Sequence, residues 1–440
     1  VYKDFKNHIE KNLSILSERK LIIAISGGID SVVLAHLCKS LELKFSLAHC
    51  NFNLRAEESD KDEAFVLDLA ETLQVEIFVQ SFDTEAYAEI NKCSIQMAAR
   101  ELRYDWFAEL AEHLQFNYIL TAHHADDNLE TFLINFTRGT GLNGLTGIPM
   151  INANVVRPLL PFSRAQIEAF ANQETIIWRE DASNASRKYL RNKLRHELVP
   201  ILKEINPQLL DSFQNTISNL NDSAEIVDEN LKIFKRNAIE ATDNYGIIYK
   251  IAEFKSRNNP KAYLYEVFKA YGFTAWDDVV ALLDAESGKL VKSNTHRLIK
   301  HRTFLILTDL NGNHSDAMTL SEADVHNRII KTPLGIMPFD DVDAIAETSK
   351  DIIYVDKNKL EFPIELRLWE EGDVFQPLGM KGKKKLSKFL KDEKLSLVEK
   401  ENTWLLTSNN KVVWVVGMRA DERFKITDET KQILKIELKQ

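Results

Sequence analysis

Three groups of side chains in this chain have the types and spacing to do chemistry. Ser26-Gly27-Gly28-Ile29-Asp30-Ser31 follows the apolar run Leu21 to Ile25 and precedes a helical pattern. Two glycines let the backbone approach a bound group without interference from Cβ, and a helix start offers unpaired amides and a positive dipole end to an anion. Ser26 and Ser31 add hydroxyl donors. Asp30 is the informative residue, because a carboxylate beside phosphates is repulsive unless a cation such as Mg²⁺ or a ligand donor neutralises it. The string reads as a site for a nucleotide with a metal ion, weighed against a tight turn in which Asp30 caps the helix.

The second group is Thr121-Ala122-His123-His124-Ala125-Asp126-Asp127-Asn128-Leu129-Glu130-Thr131. Asp127, Glu130 and Thr131 share one helical face. A dinuclear metal hydrolase would also combine His with Asp, but no HExxH or second ligand cluster accompanies them. The plain alternative is that the aspartates complement the helix dipole. Arg100 and Arg103, three apart on an expected helix, form the third group and could meet a phosphate or a base together. An exposed face paired with Glu101 or Asp105 explains either one equally well.

Two other strings fail their context. Ser287-Gly288-Lys289 lacks the rest of a Walker loop, and the Gly139 to Gly144 match to GxGxxG follows a helical pattern instead of a strand, so it reads as a flexible loop. Two basic runs stand out in a chain whose 56 Lys and Arg against 66 Asp and Glu give a net charge of -10. Arg187, Lys188, Arg191, Lys193, Arg195 and Lys203 face only Glu197; Lys381 to Lys394 holds seven lysines against Asp392 and Glu393. Each run is a candidate phosphate-contacting patch or a solvated surface.

These residues need elements to position them. Alternating strand and helix patterns from Lys20 to about Pro161 predict a doubly wound parallel sheet, with strands at Leu21–Ser26, Lys44–His49, Val75–Gln80 and Tyr118–Thr121. Helices are expected at Asp30–Leu41, Glu57–Leu73, Ser94–His113 and Asp126–Thr137, and Ser163 reads as the cap of another. The predicted organisation is an α/β domain over 1–205, a helical middle domain over 206–310, a connector over 311–360, and a small C-terminal α/β or β domain over 361–440. No apolar run approaches the ~20 residues of a membrane span. No secretory leader is read at the N-terminus, and Cys38, Cys50 and Cys93 are too widely spaced for a CxxC couple or zinc site, so the cytoplasm is the expected location. A homodimer is compatible with the sequence.

The Ser26 to Ser31 string resembles the SGGxDS loop of the N-type ATP pyrophosphatases, the PP-loop superfamily. Its company is more specific: His49 to Arg55 with Glu57 to Asp60, Ala99 to Tyr104, Thr121 to Thr131, Arg138 to Leu145, Arg157 to Leu160, Glu180 to Asn184, Arg191 to Arg195, and Gly417 to Phe424. In this order they resemble the tRNA(Ile)-lysidine synthetase family. The resemblance implies an adenylating N-terminal domain and an ATP- and Mg²⁺-dependent ligation of L-lysine to carbon 2 of the wobble cytidine in the CAU anticodon of tRNA(Ile), through an adenylated intermediate. Ser26, Gly27, Gly28, Ile29, Asp30 and Ser31 would then bind ATP, Asp30 and Asp127 the metal. Asp30, Asp127, His123, Arg100 and Arg103 would serve catalysis, and Arg191, Arg195, Lys383, Lys384 and Lys385 would contact tRNA. Asp126 joins His123 and Asp127 as a candidate base for the amine. A related PP-loop ligase with another donor, or an ATP-regulated RNA-binding protein, is the alternative; the absence of CxxC argues against sulfur transfer.

Overall fold

Leu21, Ile22 and Ile23 are consecutive, apolar and without solvent exposure, as a parallel strand covered on both faces must be. Leu21 and Ile23 join one core with Val32, Leu47 and Val66, while Ile22 joins a second with Ala48, Phe107 and Ile119. Alternate side chains thus anchor a helical layer on each face of one sheet. The structure, a computed structural model, describes residues 1–54, 57–179, 190–243, 245–310, 316–326 and 328–439. Arg55, the Glu180 to Asn184 string, Arg187 and Lys188 lie outside the described residues.

Two compact units divide the chain, Val1–Asp228 and Glu229–Gln440. The first runs α1 (Tyr2–Asn12), β1 (Leu21–Ala24), α2 (Ile29–Ser40), β2 (Phe45–Asn51), α3 (Glu57–Leu73), β3 (Ile77–Ser81), α4 (Thr84–Ile90) and α5 (Ile95–His113). It continues with β4 (Tyr118–Leu120), α6 (Ala125–Arg138), α7 (Leu142–Leu145), β5 (Ile151–Asn152), β6 (Val155–Val156), α8 (Arg164–Gln173), α9 (Leu190–Lys193) and α10 (Val199–Ile205). Helix α11 (Leu209–Ala238) then leads into the second unit. The sheet order is β3-β2-β1-β4-β6-β5, parallel except for the β5 edge. The doubly wound expectation therefore holds, and the four expected strands and helices occur with ends shifted by at most two or three residues. After β1 the chain winds outward through β2 and β3, then returns to β1's other side as β4. That reversal opens a crevice beyond the carboxyl ends of β1 and β4, where ligands bind in such sheets.

The second unit brings helices, as expected, and also a five-stranded antiparallel sheet in the order Ile239–Asp243, Gly246–Lys250, Phe304–Asp309, His296–His301, Leu290–Lys292. In its strand His296–His301, Lys300 is buried and donates to the Leu283 carbonyl at 3.0 Å, breaking the polar alternation by which strands are read. The stretch 311–360, expected as loops and short strands connecting to the last domain, holds strands that pair with strands of that domain. Met318–Leu320 pairs with Ile364–Leu368, and Gly335–Val342 and Ile352–Asp356 flank Ile433–Glu437. Trp404–Ser408 and Lys411–Val415 extend the first of these sheets over a core that includes Trp414, Phe339 and Leu366.

Candidate active site

The Ser26 to Ser31 turn is shaped before any ligand arrives. Gly27 sits at φ +86°, a conformation that disfavours side chains, and an added Cβ would meet Phe65 at 3.4 Å. Ser31 Oγ donates to the Gly28 carbonyl at 2.9 Å and accepts from the Ser26 amide at 3.2 Å. The Arg179 amide holds the Gly27 carbonyl at 3.0 Å. Gly28 caps α2 with no side chain over its first-turn amides, so those donors face outward. Ser31 therefore braces the loop, and the Gly27 and Gly28 backbone supplies the cradle.

Beyond this turn lies a cavity of about 590 Å³, lined among others by Ser26, Asp30, His49, Arg103, His123, Asp127 and Arg191. It is the crevice that the β1 and β4 reversal creates. Its apolar wall comes from Ala24, Ala48, Phe52 and Phe107. Asp30, Asp127, His123 and Arg103 thus meet at one place although they come from α2, α6, the β4–α6 turn and α5.

His124 is the hub between the two acidic groups. It caps α6, with its Nδ1 accepting from the Asp127 amide at 3.4 Å while its own amide donates to Asp127 Oδ2 at 3.1 Å. With Nδ1 an acceptor, the proton sits on Nε2, which lies 3.4 Å from Asp127 Oδ2 and 3.8 Å from Asp30 Oδ1. Asp30 Oδ2 takes a 2.6 Å bond from Arg164 Nη1. Asp30 Oδ1 is buried and has no hydrogen-bond partner among the described residues. Burial raises the Asp30 carboxyl above its usual range, against the pull of His124 and Arg164.

Arg195 reaches Glu130 through two bonds, Nε to Oε1 at 2.6 Å and Nη2 to Oε2 at 2.9 Å, and Asp127 Oδ1 at 3.1 Å. Its backbone lies in a π-helical turn, Leu194–Leu198, the kind of local widening that re-aims a side chain. Arg191 stands 3.4 Å from Glu130 and bonds the Thr131 hydroxyl. The expected tRNA contacts Arg191 and Arg195 are thus turned toward the carboxylates of α6, because Glu130, almost wholly buried, requires a cationic partner. Its carboxyl is still raised, by burial first, with Arg195 opposing.

The other expected residues separate. His123 lines the cavity, 3.0 Å from Thr121 Oγ1, and burial lowers its pKa to about 4. Asp126 faces away, bonded to the Arg164 amide at 2.8 Å and Lys203 at 2.7 Å. Burial opposes its ionisation, but those two donors and His124 hold it below the usual range. Arg103 lines the cavity with its guanidinium 5.2 Å over Phe52, whereas Arg100 lies over Tyr104 at 5.0 Å and does not line it. In the second unit Lys383 and Lys385 are exposed, while Lys384 pairs with Asp392 at 2.9 Å and lies over Phe389.

The chemistry of the donors fits Mg²⁺. That ion takes one or two carboxylates and completes its shell with phosphate and water oxygens, and Asp30 Oδ1 is an unpartnered carboxylate oxygen beside the anion cradle. Sequence reasoning missed Arg164 and the linking role of His124. Arg164 had one signal, its place after the capping Ser163, but nothing that tied it to Asp30.

A family model described as a PP-loop domain matches residues 1–202, one described as a TilS substrate binding domain matches 242–310, and one described as a TilS substrate C-terminal domain matches 364–438. The chain is 41% identical over 430 residues to the tRNA(Ile)-lysidine synthase of Parabacteroides distasonis, covering 97% of both chains. It is 36% identical over 429 residues to the enzyme of that name from Bacteroides thetaiotaomicron, again covering 97% of each. The similarly named protein of Porphyromonas gingivalis W83 is 35% identical, with 95% of this chain and 94% of that one covered.

Proposed function

The chain belongs to the tRNA(Ile)-lysidine synthase family, and from that premise we propose that it joins L-lysine to carbon 2 of the wobble cytidine in the CAU anticodon of tRNA(Ile), consuming ATP. The observation that carries this reading is the single cavity that brings the Ser26 to Ser31 cradle against His123, Asp127 and Arg103. The cytoplasm, where ATP and tRNA meet, is the proposed place of action. Among the described residues no helix is long and apolar enough to cross a membrane.

The reaction needs two steps because oxygen on carbon 2 is a poor leaving group. That oxygen attacks the α-phosphate of ATP and pyrophosphate leaves; the lysine amine then attacks carbon 2 and AMP leaves. The Gly27 and Gly28 backbone and the open α2 amides hold the pyrophosphate oxygens. Asp30 and Asp127 would hold Mg²⁺, which when bound neutralises charge on the departing pyrophosphate. Arg103, stacked on Phe52, is placed to stabilise the phosphate at the adenylated base. Lysine must attack as a free amine although amines are protonated at pH 7. His123, uncharged at that pH, accepts the proton as the amine bonds to carbon 2 and turns acidic; burial holds its pKa at about 4 although the Asp127 charge pulls it upward.

The test is incorporation of labelled L-lysine into unmodified tRNA(Ile) with a CAU anticodon, given ATP and Mg²⁺, beside a methionine tRNA with the same anticodon. Labelling of the first alone is expected. AMP release without lysine incorporation would retain the adenylating chemistry and sink the assignment of lysine as donor.

A further inference from the structure

The Arg138 to Gly144 loop matches a dinucleotide string yet does not follow a strand, and the cavity described above does not use it. Its placement gives it another task. Asp127, Thr131 and Arg138 stand at i, i+4 and i+11 on α6, a line on one face that climbs about 16 Å from the cavity. Arg138 is exposed and has no ion pair among the described residues, unlike Arg164, Arg179, Arg191 and Arg195.

Gly139 and Gly141 differ in an informative way. Gly139 has φ +74° and ends α6, so its conformation accounts for its identity. Gly141 has φ -83°, which any residue adopts, and an added Cβ there would meet nothing within 4 Å. Neither backbone strain nor packing inside the protein asks for glycine at 141, while glycine carries an entropic cost on folding. Close approach of an outside group to the main chain explains it. The loop is also held still: Asn135 Nδ2 donates to the Gly144 carbonyl at 2.9 Å, the Gly144 amide to Gly141 at 3.1 Å, and Asn221 Nδ2 to Thr146 at 3.3 Å. Within this frame the amides of Thr140 and Gly141 have no acceptor among the described residues, and the Thr140 side chain is exposed.

A guanidinium, two open amides and a hydroxyl, beside a main chain that lacks Cβ at Gly139 and Gly141, offer donors to phosphate oxygens. We propose that Arg138, Thr140 and Gly141 bind the sugar-phosphate backbone of the substrate RNA a few nucleotides from the cytidine held in the cavity. This rests on the reading of an RNA substrate given above. The subsite grips without reading bases, and it fixes the path of the strand leaving the cavity along α6.

The experiment measures the dissociation constant of unmodified tRNA(Ile) by fluorescence anisotropy across a salt series, which needs no turnover. Gly141→Val is expected to weaken binding about tenfold, as loss of a charge-assisted contact does, with the thermal midpoint and ATP affinity unmoved. Arg138→Ala should flatten the slope of log affinity against log salt by roughly 0.7 to 0.9, one phosphate contact. Should Gly141→Val lose stability, Gly141→Ala replaces it, since alanine suits this conformation, and it should still weaken tRNA binding. Variants that bind tRNA with wild-type affinity and slope overturn the subsite. A wild-type enzyme that binds tRNA but fails to incorporate lysine strikes the reaction, and the same binding series still decides the subsite.

Discussion

Asp30 is held by one oxygen and left open at the other. Arg164 fixes Oδ2, and burial makes the free Oδ1 a costly group to leave without a partner. Asp30→Asn keeps the shape but removes the charge, so AMP formation should fall by about 10²-fold or more, as when a preorganised electrostatic contact to a reacting phosphate is lost. A near wild-type rate of AMP release would contradict its role. His123 permits a second prediction. Its folded pKa of about 4 lies below the ordinary 6.5, so the unfolded chain binds more protons between these values. The uncharged ring therefore contributes stability that is full above about 6.5 and fades as the pH falls toward 4. Urea midpoints for wild type and His123→Gln should converge on acidification across that window; parallel curves would show that the ring is not held uncharged. Asp30 and Asp127 were legible in the sequence because each sits in a motif at a strand-to-helix turn. Arg164 was not, since its bond to Asp30 spans 134 residues and only the fold closes that distance.

At the scale of elements, the C-terminal string Gly417 to Phe424 proves to be a brace. Asp421 is buried and accepts from the Gln376 amide at 2.8 Å, the Arg423 amide at 2.9 Å, and Arg423 Nη2 at 2.7 Å. Glu422 takes the Gly379 amide at 2.8 Å. Together they hold the turn that leads into the lysine run. Asp421→Ala leaves several donors without an acceptor and should cost about 2 to 4 kcal/mol, seen as a lower thermal midpoint of the whole protein. An unchanged midpoint would show that the string does not brace this turn. The sequence pattern located strands well where apolar runs are unbroken, as in β1, and poorly where one buried polar group interrupts them, as Lys300 does. The π-helical turn that aims Arg195 also left no periodic trace, because its five residues, Leu194–Leu198, are too few for a period to be read.

For the whole molecule, charge is the governing quantity. A net of -10 repels RNA at long range, so binding depends on local exceptions. The lysine run in the second unit is one of them, and the three lysines first read as equivalent are not so. Lys384 is engaged with Asp392 and Phe389, whereas Lys383 and Lys385 are exposed and have no ion pair among the described residues. Replacing Lys383 and Lys385 together with Ala should reduce the salt slope of tRNA binding by roughly 1.4 to 1.8, two phosphate contacts. Lys384→Ala should instead show mainly in stability. Equal effects of all three on the slope would refute the distinction.

The ion pairs around α6 have a kinetic consequence. Asp30, Asp126, Asp127 and Glu130 are matched by Arg164, Arg191, Arg195 and Lys203, four charges against four. Charges that cancel within this cluster add little field beyond the cavity mouth, so the arrival of nucleotide is governed mainly by diffusion and shape. Capture of ATP should then proceed at nearly the same rate in dilute and concentrated electrolyte, while capture of RNA by the exposed cations slows steeply. Stopped-flow association rates for the two ligands would set these behaviours side by side, with nucleotide and RNA reaching the enzyme by physically separate rules.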